Sequence, residues 1–211
     1  MTKTCAILFD FDLTLVNSKP GGVASFRALC QATRIKPTKE LEKIYFGKRV
    51  SESMIFFSKN SRVKISPQEL YKIYLKSFKA KISQTKVYGK EILSYLQKNK
   101  IKIVIISANS ESIIKLICKH FKLSYDLLIT DNQMPKKSEK SVAITQAIRK
   151  LKLKKGQVFY VGDHINDIIQ GKKAGVRVIS VTTGFYKAND LKKYNPDYII
   201  KNLNEIKKII E

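Results

Sequence analysis

The sequence predicts an α/β protein, a parallel sheet sandwiched by helices and interrupted by an all-helical insertion, on three observations. Five short apolar runs each stop abruptly at polar or glycine residues, amphipathic helical patterns separate them, and residues 17–83 carry helical patterns alone. Continuous Val/Ile/Leu/Phe runs of about 4–8 residues are what strands buried on both faces look like. Strand alternating with helix implies a parallel sheet, in which ligands bind beyond the carboxyl ends of the strands. The 211 residues, 44% of them hydrophobic, suffice for one domain with a moderate insertion and a substantial core.

The first run, Cys5 to Phe9, stops at Asp10. The helical interval follows, with patterns at Val23 to Thr33, Glu40 to Phe46, Glu52 to Lys59 and Pro67 to Ile82. The last of these opens on Ser66, Pro67 and Glu69, a cap serine, a proline at the first helical position and a glutamate three residues after the cap. Tyr45, Phe46, Phe56, Phe57, Tyr71, Tyr74 and Phe78 read as the core of this helical unit, and no strand pattern interrupts it. The remaining runs are Ile101 to Ile106 before Ser107, Leu127 to Ile129 before Thr130, Val158 to Val161 before Gly162, and Val176 to Val181 before Thr182. Helical patterns at Glu91 to Asn99, Glu111 to Phe121, Glu139 to Leu151 and Ile168 to Ala174 place apolar residues at three and four spacing. The expected division is a core of residues 1–16 and 84–211 with a helical unit of residues 17–83.

Lys and Arg number 41 against 17 Asp and Glu, a formal net charge of +24. Such a chain is drawn to phosphate on a nucleic acid, a lipid or a metabolite. Residues 17–83 carry a net +11, more per residue than the +13 spread over the other 144. No compact basic tract or RNA-recognition pattern accompanies the charge, so nucleic acid is compatible but not indicated. No apolar run approaches the roughly 20 residues of a membrane span, and no secretory signal opens the chain. Cys5, Cys30 and Cys118 are isolated and form no CxxC pair, which suits a reducing, cytoplasmic compartment.

Acidic residues are scarce, so two tight groups of them at strand ends stand out. In Asp10-Phe11-Asp12-Leu13-Thr14, residues two apart point the same way, which turns both carboxylates to one pocket and Phe11 back into the apolar layer. Like charges this close call for a cation or a proton between them. The second group, Gly162-Asp163-His164-Ile165-Asn166-Asp167, again follows an apolar run. Asp163 and Asp167, four apart, share a face if a helix starts there. Carboxylates with an incomplete protein cage suit magnesium; His164, an imidazole among oxygen donors, reads as a pocket-edge side chain.

The order of these residues resembles the haloacid dehalogenase superfamily of phosphohydrolases over essentially the whole chain. Asp10, Asp12 and Thr14 match its DxDxT signature, Ser107 the serine ending its second motif strand, and Gly162, Asp163 and Asp167 its GDxxxD signature. Lys173 to Val176 and Val181 to Gly184 resemble the AAG and TxG segments near the end of such proteins. The resemblance implies a Rossmann-like core, and the inserted helices resemble the cap of the phosphoglycolate phosphatase-like subgroup. The chain departs from the family in having no Lys-Pro pair in the segment where the family places its phosphate-binding lysine, and at Leu13 and Asn17, where many relatives carry Gly and Asp.

What the resemblance implies is a magnesium-dependent phosphatase for a small phosphorylated metabolite. Asp10 would be the nucleophile that forms an aspartyl-phosphate, and Asp12 would protonate the leaving alkoxide and then activate water. Asp12 also separates phosphatases from the dehalogenase branch. Magnesium would be held by Asp10, the Asp12 backbone carbonyl, Asp163 and Asp167. Thr14, Ser107, Lys140 and the amides of Ala108 and Asn109 would bind substrate phosphate. For the phosphate-binding lysine, Lys136, Lys137 and Lys140 all lie in the expected segment; Lys140 is favoured for its place at a helix start, with Lys137 the alternative. Lys48 and Arg49, beside Gly47, form a basic turn that reads either as a contact to a second substrate anion or as a solvated loop. The competing functions are a nucleotide or nucleic-acid-end phosphatase and a non-catalytic nucleic-acid-binding protein; intact Asp10, Asp12 and Asp163 argue against the latter.

Overall fold

A computed structural model describes residues 3–134 and 139–210. The chain opens with β1 (Ala6–Phe9) and the two-residue β2 (Val16–Asn17), followed by α1 (Lys19–Thr33), α2 (Lys39–Phe46), α3 (Val50–Lys59) and α4 (Pro67–Lys79). The two-residue β3 (Lys86–Val87) then pairs antiparallel with β2, so a short ribbon joins the two ends of the helical segment. After it run α5 (Lys90–Lys98), β4 (Lys102–Ile106), α6 (Glu111–Phe121), β5 (Leu127–Ile129), α7 (Lys140–Lys150) and β6 (Val158–Gly162). The chain ends with α8 (Ile165–Ala174), β7 (Arg177–Val181), α9 (Ala188–Lys192), β8 (Tyr198–Ile200) and α10 (Ile206–Ile210).

Among the described residues, six strands form one parallel sheet in the order β5-β4-β1-β6-β7-β8. The five expected strands are all present. The edge strand β8 and the β2–β3 ribbon lie outside the five expected runs. Ile7, Phe9, Ile103, Ile105, Phe159 and Val161 face one apolar layer. Ala6, Leu8, Val104, Ile106, Val158 and Tyr160 face the other, so both faces are covered and the strands are apolar throughout.

Register positions the site. Phe9, the last residue of β1, lies opposite Ile105 of β4 and Val161 of β6, so the three strands end within one residue of one another. Asp10, Ser107 and Asp163, each just past such an end, therefore converge from segments far apart in sequence.

The helical segment starts earlier than its pattern suggests, since α1 includes Pro20, Gly21 and Gly22. Two consecutive glycines weaken a helix by about 1 kcal/mol each relative to alanine. Their use here is close approach: a Cβ on Gly21 would lie 2.7 Å from the Phe78 ring, and one on Gly22 2.7 Å from the Phe46 ring. Helix α4 begins with the expected reciprocal cap, the Ser66 amide donating to Glu69 at 2.8 Å and the Glu69 amide to the Ser66 hydroxyl at 3.2 Å. Tyr45, Phe57, Tyr74 and Phe78 are buried as expected, whereas Phe46 is exposed.

Candidate active site

The two acidic groups meet at the floor of a cavity of about 570 Å3 whose wall also includes the 47–49 turn of the helical segment. Asp10, Asp163 and Asp167 each offer a carboxylate oxygen, all within 4.8 Å of one another. Lys140, the first residue of α7, donates to Asp10 at 2.6 Å and to Asp167 at 2.8 Å. Lys136 and Lys137 lie outside the described residues. Burial works against the charge of Lys140, but Asp10 and Asp167 more than offset it and hold the ammonium well above the usual lysine range. Burial pushes Asp10 up, against the pull of Lys140, and repulsion from Asp167 and Asp163 adds to it. Burial and the neighbouring Asp167 likewise raise Asp163, to about 7.

Local structure explains how each carboxylate is held. Helix α8 starts two residues after Asp163, with His164 as its cap. Asp163 and Asp167 therefore do not share a helix face; they meet because Asp167, in the first turn, folds back to accept the His164 amide at 3.1 Å. Asp167 also accepts the hydroxyl of Tyr160 at 3.0 Å, from a strand residue that sequence reasoning treated only as part of an apolar run. A Cβ on Gly162 would collide with Asp167 and one on Gly184 with Asp163, so both glycines are there for close approach. His164 stays at the pocket edge, its Nδ1 accepting the Asn166 amide at 3.0 Å.

Thr14 differs from expectation. It is fully buried, and its hydroxyl donates to Asp163 at 2.8 Å instead of lining the cavity. Its place behind Asp163 makes it an orienting partner of that carboxylate. Leu13, where glycine was the family expectation, adopts φ 62°, in the left-handed region that costs a non-glycine residue about 1–2 kcal/mol. Its amide donates to Val16 at 2.6 Å, and Thr183, from the TxG-like segment, donates to its carbonyl at 2.5 Å.

Asp12 lines the same cavity, but its side chain stands apart from the three-carboxylate cluster. It accepts from the hydroxyl of Ser18, from Asn109 Nδ2 at 3.1 and 3.3 Å and from Ser107 Oγ at 3.4 Å. Burial raises its proton affinity, and the Ser18 and Asn109 bonds oppose that. Ser107, Ala108 and Asn109 sit before the cap of α6 and line the cavity, with the Asn109 amide donating to Ser107 Oγ at 3.1 Å. Gly47, Lys48 and Arg49 also line it, and the Lys48 ammonium lies 5.9 Å from the centre of the Phe56 ring.

Residues 7–181 match the family described as haloacid dehalogenase-like hydrolase. The chain belongs to that family. It is 26% identical over 214 residues to a phosphoglycolate phosphatase of Neisseria meningitidis, covering 95% of this chain and 91% of the relative. It is 22% identical over 212 residues to a pyrophosphatase PpaX of Bacillus mycoides, covering 99% and 97%. A solved haloacid dehalogenase-like family hydrolase from Streptococcus pneumoniae shares the fold with a TM-score of 0.77 at 24% identity, over 100% of both chains. This haloacid dehalogenase-like hydrolase is an enzyme of the phosphoric monoester type, and no helix among its described residues is long and apolar enough to cross a membrane.

The donor set of the hydrolase fits a magnesium ion: three oxygen ligands, buried, with one lysine leaving their charge incompletely balanced. A pH dependence follows. In the metal-free fold Asp163 titrates near 7, above the unfolded value of about 3.9. Folding therefore takes up a proton between those values, and this contribution to stability is full below the lower one and lost as pH rises through 7. A bound cation replaces that proton, so the magnesium-induced rise in Tm should be larger at about pH 8 than at about pH 6. Calorimetry with and without magnesium checks this, and an equal rise at both would contradict it.

Proposed function

We propose that the chain is a magnesium-dependent phosphatase that hydrolyses a small phosphorylated metabolite, a phosphoglycolate-like phosphate monoester, through an aspartyl-phosphate intermediate. The observation that carries this reading is the meeting of Asp10, Asp163, Asp167 and Lys140 on the cavity floor with Asp12 beside them. Asp10 attacks phosphorus in line, and Asp12 gives its proton to the leaving alkoxide as the P–O bond breaks. Asp12, now ionised, then takes a proton from the water that cleaves the aspartyl-phosphate. Lys140 neutralises charge next to Asp10, while Ser107 and the Ala108 amide hold the phosphoryl oxygens, and the Asn109 amide, engaged with Ser107 Oγ at 3.1 Å, orients that hydroxyl instead of meeting the phosphate. Magnesium, held by Asp10, the Asp12 carbonyl, Asp163 and Asp167, would supply charge neutralisation at the phosphate. Residues 17–83 act as a cap over the core of residues 1–16 and 84–211, and exclude bulk water when closed.

A second reading, a nucleotide phosphatase, is favoured by the cavity rim. Phe46 and Phe185 are exposed there, with Lys19 lying 5.1 Å from the centre of the Phe185 ring, an arrangement that offers an aromatic face and a cation to a base and its phosphates. A phosphatase screen over sugar, carboxylic-acid and nucleoside phosphates, with magnesium and with chelator, tests both. Magnesium-dependent turnover concentrated on small acid or sugar phosphates supports the first reading, and preference for nucleoside phosphates supports the second. Absence of turnover on the whole panel would overturn the phosphatase assignment for these substrates.

A further inference from the structure

We propose that Tyr74, carried by the helical segment, positions the acid/base carboxylate of Asp12 by acting through Asn109. The inference rests on the role given to Asp12 above. Tyr74 is buried, with its ring stacked on Tyr71 at 6.0 Å and tilted against Phe78 at 5.8 Å, so the ring is fixed by packing in the helical segment. Its hydroxyl crosses to the core and donates to Asn109 Oδ1 at 2.6 Å. The Ser110 amide donates to the same oxygen at 2.7 Å.

An asparagine amide is planar, with its acceptor oxygen and its donor nitrogen on opposite sides of the Cβ–Cγ axis. With both lone pairs of Oδ1 occupied, Nδ2 is turned the other way, where it reaches both oxygens of Asp12 at 3.1 and 3.3 Å. The two donors differ in kind. Ser110 is the next residue in the chain and moves with Asn109, whereas Tyr74 belongs to α4 and ties the orientation of Asn109 to the docking of the helical segment. Ser18 holds one Asp12 oxygen and Ser107 the other, and Asn109 bridges the pair. Tyr74 is thus a positioning residue: the helical segment contributes to the aim of the proton donor without its hydroxyl touching the donor.

The experiment exploits leaving groups. An alkyl phosphate needs a proton on its departing oxygen, whereas p-nitrophenolate leaves without one, and kcat/KM reports the step in which the P–O bond breaks. Tyr74→Phe keeps the ring packing and deletes only the hydroxyl. Its expected effect is a roughly tenfold loss of kcat/KM on the best alkyl phosphate of the panel, against at most about twofold on p-nitrophenyl phosphate, the size one positioned hydrogen bond supports. Asn109→Ala, which keeps the backbone amide, should lose more on the alkyl phosphate than on p-nitrophenyl phosphate, and the double variant should lose little more than Asn109→Ala alone. Equal losses on both substrates would mean a structural role and overturn the inference, as would no loss on either. Asp12→Asn separates the two layers. If it leaves alkyl phosphate turnover intact, the acid assignment itself fails. If it abolishes that turnover while Tyr74→Phe shows no selectivity, only the positioning role of Tyr74 fails.

Discussion

Asp10→Asn should abolish magnesium-dependent release of phosphate from p-nitrophenyl phosphate, with kcat/KM reduced by at least about four orders of magnitude. The side chain keeps its shape, so the loss would be chemical: an amide oxygen next to a lysine cannot form and then release an acyl-phosphate. The same substitution removes one of three carboxylates whose ligand atoms crowd within 4.8 Å. In the metal-free protein that relieves repulsion, and Lys140 keeps an acceptor oxygen in place of the one now 2.6 Å away. The Tm without magnesium should therefore stay level or rise while activity disappears. Turnover equal to the parent protein would sink the nucleophile assignment, and a lost Tm would show that Asp10 serves the fold instead.

Gly184→Ala should weaken magnesium binding by about 10–100-fold, the range typical when the surroundings of a metal ligand are disturbed. Gly184 is not a ligand, and its backbone conformation is not the reason for glycine. The added methyl would land on the Asp163 carboxylate, which Thr14 holds from another side at 2.8 Å. With Thr14 on one carboxylate oxygen and the new Cβ against the other, the carboxylate has to leave its present place beside Asp10 and Asp167. Magnesium titrations of activity and of Tm would both shift to higher concentration. An unchanged midpoint in both would show that the carboxylate has room to move without cost.

Much of this arrangement was legible from local pattern. The five apolar runs became strands because a strand buried on both faces has no polar side chain to interrupt it, and Ser66 and Glu69 cap α4 as their spacing required. Phe11 points into the core between two cavity-lining aspartates for the same reason of alternation. Other features left no local trace. Tyr160 looks like one more apolar strand residue until the fold brings Asp167 to its hydroxyl. Gly21 and Gly22 argue against a helix until the rings of Phe78 and Phe46 account for them.

By itself the sequence determined the α/β class, the helical segment between the first two motif strands, and the acidic groups at Asp10/Asp12 and Asp163/Asp167. These depend on periodicity, on residue type and on neighbours a few positions away. Only the tertiary structure decided that Lys140 reaches Asp10 and Asp167, that Thr14 supports Asp163 instead of facing the cavity, and that Asn109 aims at Asp12 under the hand of Tyr74. Each of those contacts joins segments separated by 27 to 149 residues. Strand order and register bring the carboxyl ends of β1, β4 and β6 together, the packing of α4 and α7 adds Tyr74 and Lys140, and no period or spacing along the chain encodes a distance across a sheet or between packed helices.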